Sequence, residues 1–167
     1  MDTVSLYLFT LATICFVVFI LQMLNKTILR IFPEKYEELK HAYPDPLKKW
    51  KSKSSYFTAQ GKSKGLGWRS ALTIDVYADM LIVSTMGQGL VLPYDQYVFC
   101  PKNVWVFRSL VIENIPVHNT THPTFLDSFV KLDETTSLEL LLSTDQIDYI
   151  LNLAAPFQAE RQENSSK

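Results

Sequence analysis

Few residues of this chain have the types and spacing that do chemistry, and the strongest pair is His118 and His122. A four-residue separation converges two imidazoles on one helix face, as zinc sites require. Pro116 and Pro123 bracket the pair and argue against a helix there, no Glu follows His118, and no Cys or third His stands nearby. They read as loop histidines. Cys100, before Pro101, could be paired with either His as a nucleophile, but a lone Cys at a strand end reads as a small core residue. Gly61-Lys62-Ser63-Lys64-Gly65-Leu66-Gly67 contains a Gly-Lys-Ser triplet, yet a phosphate-cradling loop needs glycine at position 56, which is Tyr. No Gly-x-Ser-x-Gly elbow or Gly-x-Gly-x-x-Gly turn occurs. The expectation is no catalytic residue, no metal, no cofactor and no enzyme; an enzyme with an unrecognised site stays as a third class.

Charge and aromatic content say more. Lys26 to Ile74 holds 11 Lys/Arg against 4 Asp/Glu, a balance of +7, and Asp75 to Lys167 holds 5 against 12, a balance of −7. The near-neutral total conceals a dipolar chain. Lys48, Lys49, Lys51, Lys53, Lys62, Lys64 and Arg69 occur with no acid from Pro46 to Ile74, and Trp50, Tyr56, Phe57 and Trp68 are interleaved. Beside a cytoplasmic membrane surface that composition suits anionic lipid, where each Lys or Arg contributes about 1 kcal/mol and aromatic rings settle among the headgroups. The predicted lipid- or partner-contact residues are Lys48, Lys49, Trp50, Lys51, Lys53, Lys62, Lys64, Trp68 and Arg69. The alternative is a solvated basic face that only helps fix topology. Nucleic acid uses the same residue types, but the stretch is short and an anchor precedes it, so no nucleic-acid partner is expected.

That anchor is Val4 to Leu24, 21 residues without a charge, enough for one helix to cross a bilayer. A signal peptide would have a basic start, a shorter apolar core and a small-residue cleavage site, and none is present. The flank before the span has Asp2 and no cation, whereas Lys26, Arg30, Lys35 and Lys40 follow it. Cations are retained on the cytoplasmic side, so the expected topology is single-pass, N-terminus outside and the rest cytoplasmic, in a plasma or bacterial inner membrane. Cys15 in the span and Cys100 beyond it supply no intramolecular disulfide, which suits a reducing compartment. The sequons at Asn25, Asn119 and Asn164 matter only if that orientation is reversed.

The elements after the anchor suit one domain that supplies its own apolar core. Lys26 to Tyr43 reads as helix, with Pro33 at a first helical position and Tyr36, Leu39 and Tyr43 on one face; it docks on the domain or binds a partner. Leu72, Ile74 and Val76 alternate with polar neighbours and turn through Tyr77 to Met80 into Leu81, Ile82 and Val83, a hairpin. Further strands are expected near 89–94, 104–112, 125–132 and 137–142. Ile147, Ile150, Leu151 and Ala154 form a helical stripe behind a Ser143/Gln146 capping box, with Pro156 closing the helix. The tail from Gln158 to Lys167 is polar and expected to be disordered.

The run Ala71-Leu72-Thr73-Ile74-Asp75-Val76-Tyr77-Ala78-Asp79-Met80-Leu81-Ile82-Val83, followed by Val91-Leu92-Pro93-Tyr94-Asp95-Gln96-Tyr97, resembles the strand, turn and Pro-aromatic steps of pleckstrin-homology-like and GRAM-like domains. The resemblance covers about residues 54–157. It implies a binding module for lipids, peptides or proteins, and would put Lys62, Lys64 and Arg69 at the loop between the first two strands, where phosphoinositide-binding members carry cations. These three match that pattern in part; a flexible hairpin loop is the other reading. The predicted fold class is mainly β, an antiparallel meander forming a partly open barrel or sandwich with a C-terminal helix, preceded by one transmembrane helix. The divisions are 4–24 transmembrane helix, 25–53 juxtamembrane helix and basic linker, 54–157 β domain, and 158–167 tail. The function expected is a membrane-anchored cytoplasmic binding or scaffolding module contacting anionic lipid headgroups or a protein partner; the alternative is an accessory or inhibitory subunit docking a protein through its acidic half.

Overall fold

A computed structural model describes residues 3–59, 68–104, 107–116 and 135–165. The order is α1 (Thr3–Ile31), β1 (Glu34–Lys35), α2 (Tyr36–Ala42), β2 (Lys48–Ala59), β3 (Trp68–Val76), β4 (Met80–Thr85), β5 (Gln88–Pro93), β6 (Val98–Val104), β7 (Phe107–Pro116), β8 (Thr135–Leu141) and α3 (Thr144–Ser165). All strand pairs are antiparallel, in one sheet of order β1-β5-β4-β3-β2-β8-β7-β6. The chain is therefore mainly antiparallel β with a C-terminal helix.

Period-2 alternation sorts the faces. Leu72, Ile74 and Val76 of β3, Leu81 and Val83 of β4, Leu90 and Leu92 of β5, Leu110 and Ile112 of β7 and Leu138 and Leu140 of β8 all enter one buried cluster. Both halves of the sheet thus share a core, which α3 completes with Ile147, Ile150 and Ala154. Two register shifts make this possible. Between Ser52 and Ser55 the pairing of β2 with β3 slips, and from Ser55 onward β2 also pairs with β8. In β7 the shift between Ile112 and Ile115 contains Asn114 at φ 63, and the extra residue returns Ile115 to the buried face. The β4–β5 turn has positive φ at Met86 and Gly87, as a two-residue hairpin demands.

The β3–β4 hairpin lies where alternation predicts it, with Val76 opposite Leu81 and Tyr77 N–H donating to the Met80 carbonyl at 2.9 Å. The capping box is formed too: Ser143 N–H donates to Gln146 Oε1 at 3.0 Å and Gln146 N–H to Ser143 Oγ at 3.3 Å. Other expectations need correction. The helix expected over Lys26 to Tyr43 is two helices: α1 runs to Ile31, and Pro33, without an N–H, precedes the two-residue strand β1 before α2 starts. The segment read as a basic linker up to residue 53 is the first half of β2. The single strand expected near 104–112 is the end of β6 and most of β7. Pro156 sits inside α3 and does not close it, and helix continues into the tail expected to be disordered. The carbonyl that Pro156 leaves unbonded belongs to exposed Asn152, where water can serve it, while Phe157 stays held against Tyr94, ring centroids 5.9 Å apart. The strand expected near 125–132 lies outside the described residues.

Candidate membrane-facing basic surface

β2 is where the predicted contact residues begin, and alternation decides what each does. Trp50 turns inward, its ring 5.8 Å from that of Tyr149 and edge-on to it, packed against the core. Ser52 is buried. Lys48, Lys49 and Lys51 are exposed. A basic-aromatic run that looks uniform in sequence is thus split by the pleat into a core residue and surface cations.

Lys49 is engaged. Its register partner across the hairpin is Asp75, whose side chain is only 3% exposed. Lys49 Nζ lies 3.1 Å from Asp75 Oδ1 and donates to Tyr36 Oη at 2.7 Å, while Tyr36 Oη–H donates to Asp75 Oδ2 at 2.5 Å. Oδ1 has no directional hydrogen bond, so the ammonium is what faces it. The Tyr36 hydrogen bond holds the Lys49 pKa above its usual 10.5 against the opposing pull of burial, and the Asp75 carboxylate adds to the rise. The contact fastens α2 to the sheet. Tyr77 Oη–H adds a bond to the Tyr43 carbonyl at 2.6 Å, and burial raises the Tyr77 pKa.

The other cations do not gather around Lys49. Lys48 pairs with Val76 at one end of the hairpin, whereas Trp68 pairs with Phe57 at the other. At roughly 3.3 Å per residue those positions are about 30 Å apart along the strand. The predicted contact residues therefore form a stripe along the hairpin and not a single pocket. Of Lys53, Trp68 and Arg69 the strand position alone is described, and Lys62 and Lys64, with the whole Gly-Lys-Ser loop, lie outside the described residues. Lys48 and Lys51 are the described cations of this stripe with no acidic partner among the described residues.

What the sequence did not single out is the brace between α1 and the sheet. Phe32 is fully buried and Ile31 nearly so, and both belong to the central core cluster. β1 then pairs with β5, Glu34 opposite Gly89 and Lys35 opposite Gln88, and Tyr36 N–H donates to the Gly87 carbonyl at 3.0 Å. α2 covers the outer face of the sheet so closely that a Cβ on Gly89 would stand 2.5 Å from Leu39 Cδ1. β4 is buried on both faces, with Met80, Ile82 and Ser84 outside the central cluster and still covered. The hydrophobic pair just before Pro33 was the available signal.

Elsewhere two acids of the acidic half meet cations of that same half. Glu139 meets Lys102 at 3.3 Å and accepts from Ser109 Oγ at 2.6 Å, and Asp148 meets Arg108 at 2.7 Å. Cys100 is partly buried, and burial and Glu113 push its thiol pKa up, away from the reactive thiolate. His118 and His122 lie outside the described residues. Among the described residues no group of three or more His, Cys, Asp or Glu could hold a metal.

α1 is a 29-residue helix. Its side chains are described from Ser5 to Phe19 and at Leu29 and Ile31, and Leu6, Tyr7, Leu8, Phe9, Leu11, Ile14, Phe16, Val17, Val18 and Phe19 are all exposed. Among the described residues no helix is long and apolar enough to cross a membrane. No family model matches this chain, and no curated protein matches it.

Proposed function

We propose that this protein is a single-pass, membrane-anchored cytoplasmic binding module of the pleckstrin-homology-like kind that lays the basic stripe of its β2–β3 hairpin against anionic lipid. The observation that carries the reading is α1. Leu6, Tyr7, Leu8 and Phe9 are consecutive and exposed, and at about 100° per residue they place apolar side chains around the whole helix. An apolar surface with no protein cover favours hydrocarbon, and the uncharged sequence extends to Leu24, giving about 31 Å of helix. The cations that follow the span, Lys26, Arg30, Lys35 and Lys40, favour a cytoplasmic domain in a plasma or bacterial inner membrane.

The strand order β5-β4-β3-β2-β8-β7-β6, two meanders joined through the first long strand and followed by one helix, supports the pleckstrin-homology-like reading. Fold alone leaves the ligand open. Lipid is favoured over an acidic-surface docking role because the basic stripe follows the span closely in sequence and its exposed Lys48 and Lys51 face no acid among the described residues.

Amine acylation of the full-length protein in nanodiscs tests this. Lys48 and Lys51 should be protected in anionic nanodiscs relative to neutral ones, with the protection removed by salt as screening shortens to a few ångströms. Equal labelling in both would remove the lipid reading and leave a protein partner, sought by purification from mild detergent, as the function of the module.

A further inference from the structure

We infer that α1 and the β domain are one rigid body, so that the domain is mounted against the headgroup layer and does not swing on a tether. The inference rests on the membrane reading of α1 for its location and on the brace alone for its rigidity. A free linker needs residues without tertiary bonds, whereas the stretch between α1 and β2 is tied to the domain repeatedly along its length. Ile31 and Phe32 sit in the core, Glu34 and Lys35 pair with β5, Tyr36 bonds Gly87 and Asp75, Leu39 fills the space over Gly89, and Tyr43 accepts from Tyr77. Leu47 N–H then donates to the Val76 carbonyl at 2.8 Å, one residue before β2 begins.

Length places the domain. From Asn25 to Ile31 the helix continues for seven residues beyond the uncharged run, about 10 Å. The polar layer of one leaflet is roughly 5 to 8 Å thick. The core therefore begins close to the outer edge of the headgroups, and the mount keeps the domain near the bilayer whether or not its cations have affinity for the lipid. A tethered domain would need that affinity to stay down.

Pulsed electron-spin distance measurement on the full chain in anionic nanodiscs tests the mount. Spin labels go on native Cys15 of α1 and on Asp95→Cys, an exposed position of the domain, in a Cys100→Ser background. The expected result is one narrow distance distribution. A Gly-Ser insert of about six residues after Lys26 should broaden it by about 10 Å or more. Phe32→Ala, which leaves the other ties in place, should broaden it less. A distribution in the parent protein as broad as in the insert would overturn the rigid mount. The same pair measured in detergent separates the two ideas: a narrow distribution there, from a chain that fails to enter nanodiscs, upholds the brace and rejects the anchor.

Discussion

α1 and α3 are both long helices, and they satisfy their apolar residues in opposite ways. α3 puts Ile147, Ile150 and Ala154 on one side and buries them completely, with Asp145 and Asp148 on its exposed side. α1 has no such division: its described apolar side chains from Leu6 to Phe19 are exposed all round, and only at its end do Ile31 and the following Phe32 enter the core. A helix with one apolar stripe is paired with its own protein, whereas one apolar on every side calls for an apolar solvent. The junction at Ile31-Phe32 is where one regime hands over to the other.

The largest effect that sharpens this contrast is a buried charge. Ile150→Asp should remove cooperative unfolding of the domain, a loss of at least about 4 kcal/mol, because the carboxylate has no partner in that core. Leu11→Asp in α1 should leave domain unfolding in detergent unchanged and reduce membrane insertion by roughly 3 kcal/mol, read by carbonate extraction. Equal domain destabilisation by both would erase the distinction between the helices.

Next comes the junction. Phe32→Ala should cost about 3 to 4 kcal/mol of stability, as large-to-small changes at fully buried aromatics do. For the same reason a chain beginning at Pro33 should unfold at distinctly lower denaturant than one keeping Ile31 and Phe32. A residue-33 start that costs nothing would place those two side chains outside the working core.

The Asp75 contact is smaller. Tyr36→Phe removes a hydroxyl shared by Lys49 and Asp75 and should cost on the order of 1 kcal/mol in denaturant unfolding. Because the Lys49 pKa is raised in the folded state, its contribution is fully present below about 10.5 and disappears as pH climbs through the higher folded value. The cost of Tyr36→Phe should shrink over that alkaline range and stay constant at neutral pH. Gly89→Ala should have the least effect, about 1 kcal/mol or below, since the clashing atom is the tip of the Leu39 side chain.

How far the sequence reveals this architecture depends on the range of the interaction. The β3–β4 hairpin, the β5 strand and the α3 capping box are set by neighbours a few residues apart, and all are legible from alternation and turn chemistry. The first half of β2 was missed because Lys49 and Lys51 point outward, buried Ser52 is polar, and inward Trp50 looks like part of a basic-aromatic run. Lys49 appears unopposed within residues 46–74, yet the acid that faces it is residue 75, brought across by strand register. The same limit hid the brace, whose partners Gly87, Gly89 and Asp75 lie far along the chain from Tyr36 and Leu39. Pro156 misled for a different reason. A proline ends a helix only when nothing else holds the following turn, and Phe157 against Tyr94 does hold it.

The central claim is that α1 lies in hydrocarbon, and Cys15 reports on it directly because it sits within the uncharged run and is exposed on the helix surface. In a Cys100→Ser chain reconstituted into liposomes, Cys15 should resist a membrane-impermeant maleimide added to either side and react once the bilayer is dissolved in denaturing detergent. Labelling in intact liposomes as fast as in the dissolved sample would put α1 in water and contradict the account.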